Sequence, residues 1–213
     1  MGKSVFSLVL GDEIIEQVDK LAYGKGISRS NMVNEILAEF ISYETPQKRM
    51  GNIFSEVERL LNGSDVLKFL SQPTASMASI RSALTYRYNP TVKYSVELTT
   101  SDNKHFGNLK VSLRTQNEEL IKQIMIFYGY WTYLENKYVG KVDSRSYDGK
   151  FERNFVLPDS EELSSAVLGQ AITMYIRNMD EIMNLYFAHI DDLGTYTVAI
   201  EQRFLHNLKQ NIV

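Results

Sequence analysis

The stretch Gly24-Lys25-Gly26-Ile27-Ser28-Arg29-Ser30-Asn31 gathers the polar groups best suited to holding an anion. Ser28 reads as the N-cap of a helix, and a helix start offers unpaired backbone N–H groups and a partial positive charge. Arg29, Ser30 and Asn31 surround that end with donors, and Lys25, just before it, and Lys3 are expected to add contacts by proximity. The expected chemistry is retention of a phosphate. The plainer alternative is that Ser28 only caps its helix while Arg29 is a solvated surface charge. A nucleotide-binding loop is not expected, since Gly26 follows Lys25 where Ser or Thr would be needed and the glycine spacing does not fit.

Other chemistry finds less support. His189-Ile190-Asp191-Asp192 and the more distant His206 could each ligate, but no paired helical His motif and no thiol accompany them, so a structural role and no metal are expected. The chain has no Cys, which excludes disulfides, thiolate metal sites and cysteine nucleophiles. There is no Gly-x-Ser-x-Gly, no dinucleotide fingerprint and no recognisable nucleophile with its base. The expectation is a protein without cofactor or enzymatic activity.

The elements that position these residues must come from 213 residues, 44% of them apolar and 23% charged, with 12 Gly and 4 Pro. That composition excludes a disordered or collagenous chain, and the length suits one domain or two small ones. No secretory signal, acyl-anchor motif or membrane span is expected, and a cysteine-free chain fits a cytoplasmic location. The net charge of −3 argues against coating nucleic acid through bulk charge. Its distribution is uneven: −1 over residues 1–50, +3 over 51–158 and −5 over 159–213. Any anion would therefore be met before residue 158.

Ser4 to Leu10 alternates as a short strand, with Phe6, Leu8 and Leu10 on one face and Val5, Ser7 and Val9 on the other. From Asp12, read as an N-cap, Ile14, Ile15, Val18, Leu21 and Ala22 form one helical stripe that Gly24 and Gly26 end. After Ser28, Met32, Val33, Ile36, Leu37, Phe40 and Ile41 make a second stripe before Pro46. One strand cannot satisfy its own backbone, and two short helices bury little apolar surface. This unit therefore needs a partner, and a symmetric dimer could pair two strands over a shared core of Phe6, Leu8, Leu10, Val18, Leu21, Met32, Ile36 and Phe40.

This stretch resembles the ribbon-helix-helix proteins of the CopG, Arc and MetJ kind. The resemblance rests on Ser4 to Leu10, Asp12-Glu13-Ile14-Ile15 and Gly26-Ile27-Ser28-Arg29-Ser30-Asn31-Met32-Val33, and it covers about 40 of the 213 residues. It implies an obligate dimer that lays a two-stranded ribbon in the DNA major groove and reads bases with the outward residues, here Val5, Ser7 and Val9. Lys3, Lys25, Ser28, Arg29, Ser30 and Asn31 would then meet the DNA backbone. The chain departs from the family in its outward valines, which offer thymine methyls a surface but no hydrogen bond. Burial of that face by later residues is the alternative.

The fold expected for the whole chain is α+β: a ribbon-helix-helix unit at 1–45, a helical linker at 46–76 and an α+β dimerisation or effector region at 77–213. Thr45-Pro46-Gln47-Lys48-Arg49 reads as a hinge, followed by a helix with Ile53, Phe54, Val57, Leu60 and Leu61 in its stripe. Ala78 to Tyr88, Thr91 to Thr100 and Gly107 to Thr115 read as an antiparallel meander. One face of that sheet is apolar, and the other carries Arg81, Arg87, Lys93, Lys110 and Arg114 with Glu97. Those cations suit a small anionic effector or DNA phosphate, or are simply solvated. A helix over Glu118 to Tyr138, a hairpin turning at Asp148-Gly149, a long helix from Asp159 to Ile190 and a last helix over Thr195 to Asn211 complete the reading. The long helices suggest oligomer packing. The leading functional expectation is a homodimeric or higher-order, sequence-specific binder of double-stranded DNA that regulates bacterial transcription. The alternative is a protein-interaction module on the same dimer fold, such as a plasmid-maintenance or conjugation accessory factor or an antitoxin.

Overall fold

The computed structural model describes residue 5 and residues 7–99, 105–157 and 163–210. The chain is mixed α and β, with six helices and a six-stranded antiparallel sheet among the described residues. It divides into two compact units, Met1–Arg49 and Met50–Val213.

In the first unit, α1 spans Asp12–Lys25 and α2 spans Arg29–Phe40. Gly11, not Asp12, occupies the N-cap of α1 and supplies no side-chain cap; Asp12 and Glu13 instead sit in the first turn, where negative charge suits the helix dipole. Gly26 ends α1 in the left-handed region at φ 64°, and the Ile27 N–H reaches back to the Ala22 carbonyl at 3.0 Å. That geometry favours glycine and turns the chain directly into α2. Val5 and Ser7 to Leu10 form no strand in the single chain. Ser4 and Phe6, expected in the same strand, lie outside the described residues.

The expected hinge at 45–49 is instead the start of a helix. Thr45 Oγ1 accepts from the Lys48 N–H at 3.2 Å, and α3 runs from Pro46 to Leu61. Nor is α3 a free-standing linker, because Ile53, Phe54, Val57 and Leu61 belong to the main core of the second unit. Its apolar stripe is a docking face.

The sheet of that unit orders its strands β1-β2-β3-β4-β6-β5. These are Lys68–Phe69, Met77–Ala83, Thr91–Leu98, His105–Leu113, Ser144–Tyr147 (β5) and Lys150–Val156 (β6). The first meander strand stops at Ala83, short of Tyr88, because Leu84 to Pro90 closes a tight turn with Asn89 at φ 47°. Asp148 and Gly149, both at positive φ, turn the β5–β6 hairpin. That hairpin joins the existing sheet by pairing β6 with β4.

Ile80, Leu84, Val92, Tyr94, Val96, Leu109, Val111, Phe151 and Phe155 bury against α4 (Glu118–Tyr138), α5 (Ser165–Ala188) and α6 (Leu193–Gln210). Helix α5 begins at Ser165, capped by Ser164, so it has 24 residues and not the longer span expected; Asp159 to Glu162, the expected start, lie outside the described residues. At 1.5 Å per residue it is about 36 Å long. It buries residues around most of its circumference, so the apolar pattern expected to serve oligomer packing fills the chain's own core. Asp180 sits buried in α5, accepting from Ser82 and, at 2.8 Å, from the Tyr94 hydroxyl, which ties the helix to β2 and β3. Among the described residues no helix is long and apolar enough to cross a membrane.

Candidate nucleic-acid interface

The two helices of the first unit share a very small core. Val18, Ala22 and Met32 are buried, with Ile27 and Val33 packed against them. Of the other residues expected in a shared core, Leu8, Leu10, Leu21, Ile36 and Phe40 are exposed in the single chain, as are Ile14, Leu37 and Ile41. Phe40 keeps 86% of its surface in solvent. Among the described residues this unit exposes more large apolar side chains than it buries. Val5 and Val9 are fully exposed and Ser7 is exposed, so no burial of that face occurs in the single chain.

At the start of α2, Ser28 Oγ accepts from the Asn31 N–H at 3.3 Å, while the backbone N–H groups of Arg29 and Ser30 have no partner among the described residues. The cations beside them are engaged. Arg29 makes a two-pronged contact with Asp19, Nε to Oδ1 at 2.6 Å and a terminal nitrogen to Oδ2 at 2.5 Å. Lys25 Nζ lies 2.9 Å from Glu35 Oε2. Each pair links α1 to α2, and both are exposed. The hydrogen bonds from Arg29 hold the Asp19 carboxyl below its usual value, and Asp19 in turn raises the Arg29 guanidinium. Asp19, ten residues away on the other helix, thus occupies the Arg29 guanidinium. Ser30 and Asn31 are exposed at the same end. Lys3 lies outside the described residues.

In the second unit, the polar face of the sheet is arranged differently from the expected set of five cations. The register places Lys68, Arg81, Lys93, Ser112, Lys150 and Tyr147 in one row across all six strands. Lys68, Arg81 and Lys93 are exposed, directly opposite one another, and none makes an ion pair among the described residues. Like charges facing across strands are unfavourable, and they raise the local attraction for an anion. Lys110 falls in the next row, 2.8 Å from Glu152, which also takes Arg145 at 2.5 Å. Hydrogen bonds from Lys110 and Tyr147 hold Glu152 down to about 2. Arg87 lies in the turn after β2, its guanidinium over the Tyr86 ring, and Arg114 lies just beyond β4. Lys68 and Lys150 escape notice in the sequence because only strand register aligns them with Arg81.

Other charged residues escape for a similar reason. Arg153 on β6 and Glu135 on α4 meet in the interior with Nε 2.9 Å from Oε1, although no strand or helix pattern joins them. His189, the expected structural histidine, stacks on Tyr196 with ring centres 3.6 Å apart. Among the described residues no three His, Asp or Glu side chains form a metal-binding group. No family model, curated protein or solved structure matches the chain.

Proposed function

We propose that the chain is a homodimeric, sequence-specific binder of double-stranded DNA, of the kind that regulates bacterial transcription, built on a ribbon-helix-helix unit at its N-terminal end. The observation that carries this reading is the exposure of Leu8 and Leu10, which belong to no helix or strand, ahead of two helices that leave Leu21, Ile36 and Phe40 uncovered. A second copy supplies the missing strand and closes the core. The paired strands then present Val5, Ser7 and Val9 to the major groove, Ser7 offering one polar contact and the valines apolar contact with thymine methyls. Ser28 organises the start of α2, where the free N–H groups of Arg29 and Ser30, with Asn31, hold a phosphate. Arg29 joins them by exchanging Asp19 for phosphate, and Lys3 and Lys25 add charge.

The reading is tested by selecting bound duplexes from a random pool at physiological salt, alongside sedimentation of the free protein. Enrichment of a symmetric motif by a dimer is the expected result. A dimer that enriches nothing supports the second reading, a protein-interaction module on the same fold. That alternative is favoured by the two fully exposed valines and by the engagement of Lys25 and Arg29 with carboxylates. A monomer that enriches nothing overturns both.

A further inference from the structure

The second unit contains a partly open cavity of about 470 Å³ between α4, β6, α5, α6 and residues 139–143. Its walls are largely apolar, with Phe106, Trp131, Phe155, Met174 and Phe204 among them. Cavities of roughly 300–1,000 Å³ with a few placed polar groups are typical of small-molecule sites.

Four of the lining residues form one connected polar cluster, while Lys141, Asp143, Asn154, Gln170 and Asn178 also line the cavity. The Trp131 indole N–H donates to the Tyr175 hydroxyl at 2.9 Å, and that hydroxyl donates to Glu135 Oε2 at 3.1 Å. Glu135 is 1% exposed, and burial pushes its carboxyl up against the pull of Arg153. The Arg153 guanidinium lies over the Tyr175 ring at 4.6 Å and the Phe155 ring at 5.6 Å. Its Nε is close to Glu135 but out of line for a hydrogen bond, and no other acceptor among the described residues serves it. A guanidinium carries five N–H donors and remains charged at any physiological pH. Arg153 is thus a charged donor on the wall of a largely apolar cavity, and the ligand that complements it carries an acceptor oxygen on an apolar body. Trp131, Phe155, Tyr175 and Phe204 favour a flat, ring-containing body, because stacked and edge-on contacts add to simple burial.

We infer that this cavity is a binding site for a small, flat, apolar ring compound whose acceptor oxygen, a carboxylate or a carbonyl, meets Arg153. The site is independent of any DNA contact. Glu135 and Tyr175 act as positioning residues that hold the guanidinium at the cavity wall, and Trp131 forms part of the wall itself.

Trp131 is the only tryptophan in the chain, so its indole N–H gives a single proton–nitrogen NMR signal from the site. The full-length protein is titrated with 2-naphthoate and, separately, with 2-acetonaphthone. A saturable shift of the indole signal is expected with at least one of them; a response to the first alone indicates that a charged acceptor is needed, and a response to both that a neutral one suffices. Ala171→Phe, which adds a ring at the cavity wall and leaves both charged residues in place, should abolish the shift. The double variant Glu135→Gln with Arg153→Met removes both buried charges together and should weaken binding tenfold or more, while leaving the protein folded enough to give the indole signal. The inference is overturned if neither probe moves the signal of the wild-type protein, or if Ala171→Phe or the double variant binds as the wild type does.

Discussion

Arg29 shows how much a single side chain decides. Its place at the start of α2 suits a phosphate clamp, yet it grips Asp19 with both prongs of its guanidinium. An exposed pair of this kind contributes little to stability, so exchanging it for another anion costs little. If Arg29 moves to phosphate on binding, Arg29→Ala weakens binding to all duplexes and flattens the plot of log affinity against log salt by about 1 for each phosphate no longer neutralised. Asp19→Asn, which releases the same guanidinium, shifts affinity the other way. A salt slope unchanged in Arg29→Ala removes this residue from the interface. Asp180 makes the complementary case in the core. Asp180→Ala leaves the Ser82 and Tyr94 hydroxyls without their acceptor and should cost roughly 1–3 kcal/mol in urea unfolding, with Asp180→Asn losing less. The cap at Ser28 is legible from its neighbours; Asp180 is not, because Asp180-Glu181 within an otherwise apolar stretch gives no sign of which carboxylate turns inward to the two strands.

Elements that declare themselves locally are the ones a reading of the sequence places well. Helix α4 occupies Glu118–Tyr138, the span its stripe indicates, and Asp148-Gly149 turns a hairpin because both residues accept positive φ. What escapes is the placement of elements against each other: β6 beside β4, α3 inside the core, and the basic row that only register creates. The contact of α3 with α5 depends on Gly169, where an added Cβ would stand 2.7 Å from Glu56 Cβ and 2.8 Å from the Ile53 carbonyl oxygen. Backbone lies on one side of that gap, so the helices themselves must separate. Gly169→Ala should therefore destabilise the second unit by about 1–3 kcal/mol. Gly129, inside α4, has open space around its Cβ position. Gly129→Ala should stabilise by about 0.5–1 kcal/mol through helix propensity alone. Opposite shifts in denaturant midpoint from the same substitution would locate the close helix approach; equal shifts would refute it.

For the whole molecule, the two units should unfold by different rules. The first has a core of three buried side chains and much exposed apolar surface, so a transition belonging to it should rise in temperature with protein concentration if a second copy completes it. The second has its own extensive core, and its transition should not depend on concentration. Acidity separates them further. Burial raises the carboxyls of Glu135 and Asp180 above their ordinary values of 4.5 and 3.8. The folded state therefore binds protons more readily than the unfolded chain, and the stability these groups contribute is fully present at low pH and lost as pH rises through their folded values. Glu152 acts in the other direction: held down to about 2, it stabilises above 4.5 and loses that contribution as pH falls towards 2. Asp19, held down by Arg29, behaves likewise in the first unit below 3.8. Calorimetry from pH 7 downwards should show the concentration-independent transition moving up as Glu135 and Asp180 take protons ahead of the unfolded chain, then down once Glu152 is protonated. The concentration-dependent one should hold steady over the upper part of that range and fall only when Asp19 takes its proton. Should the second unit show no such rise before Glu152 takes its proton, its buried carboxyls do not remain above their ordinary values.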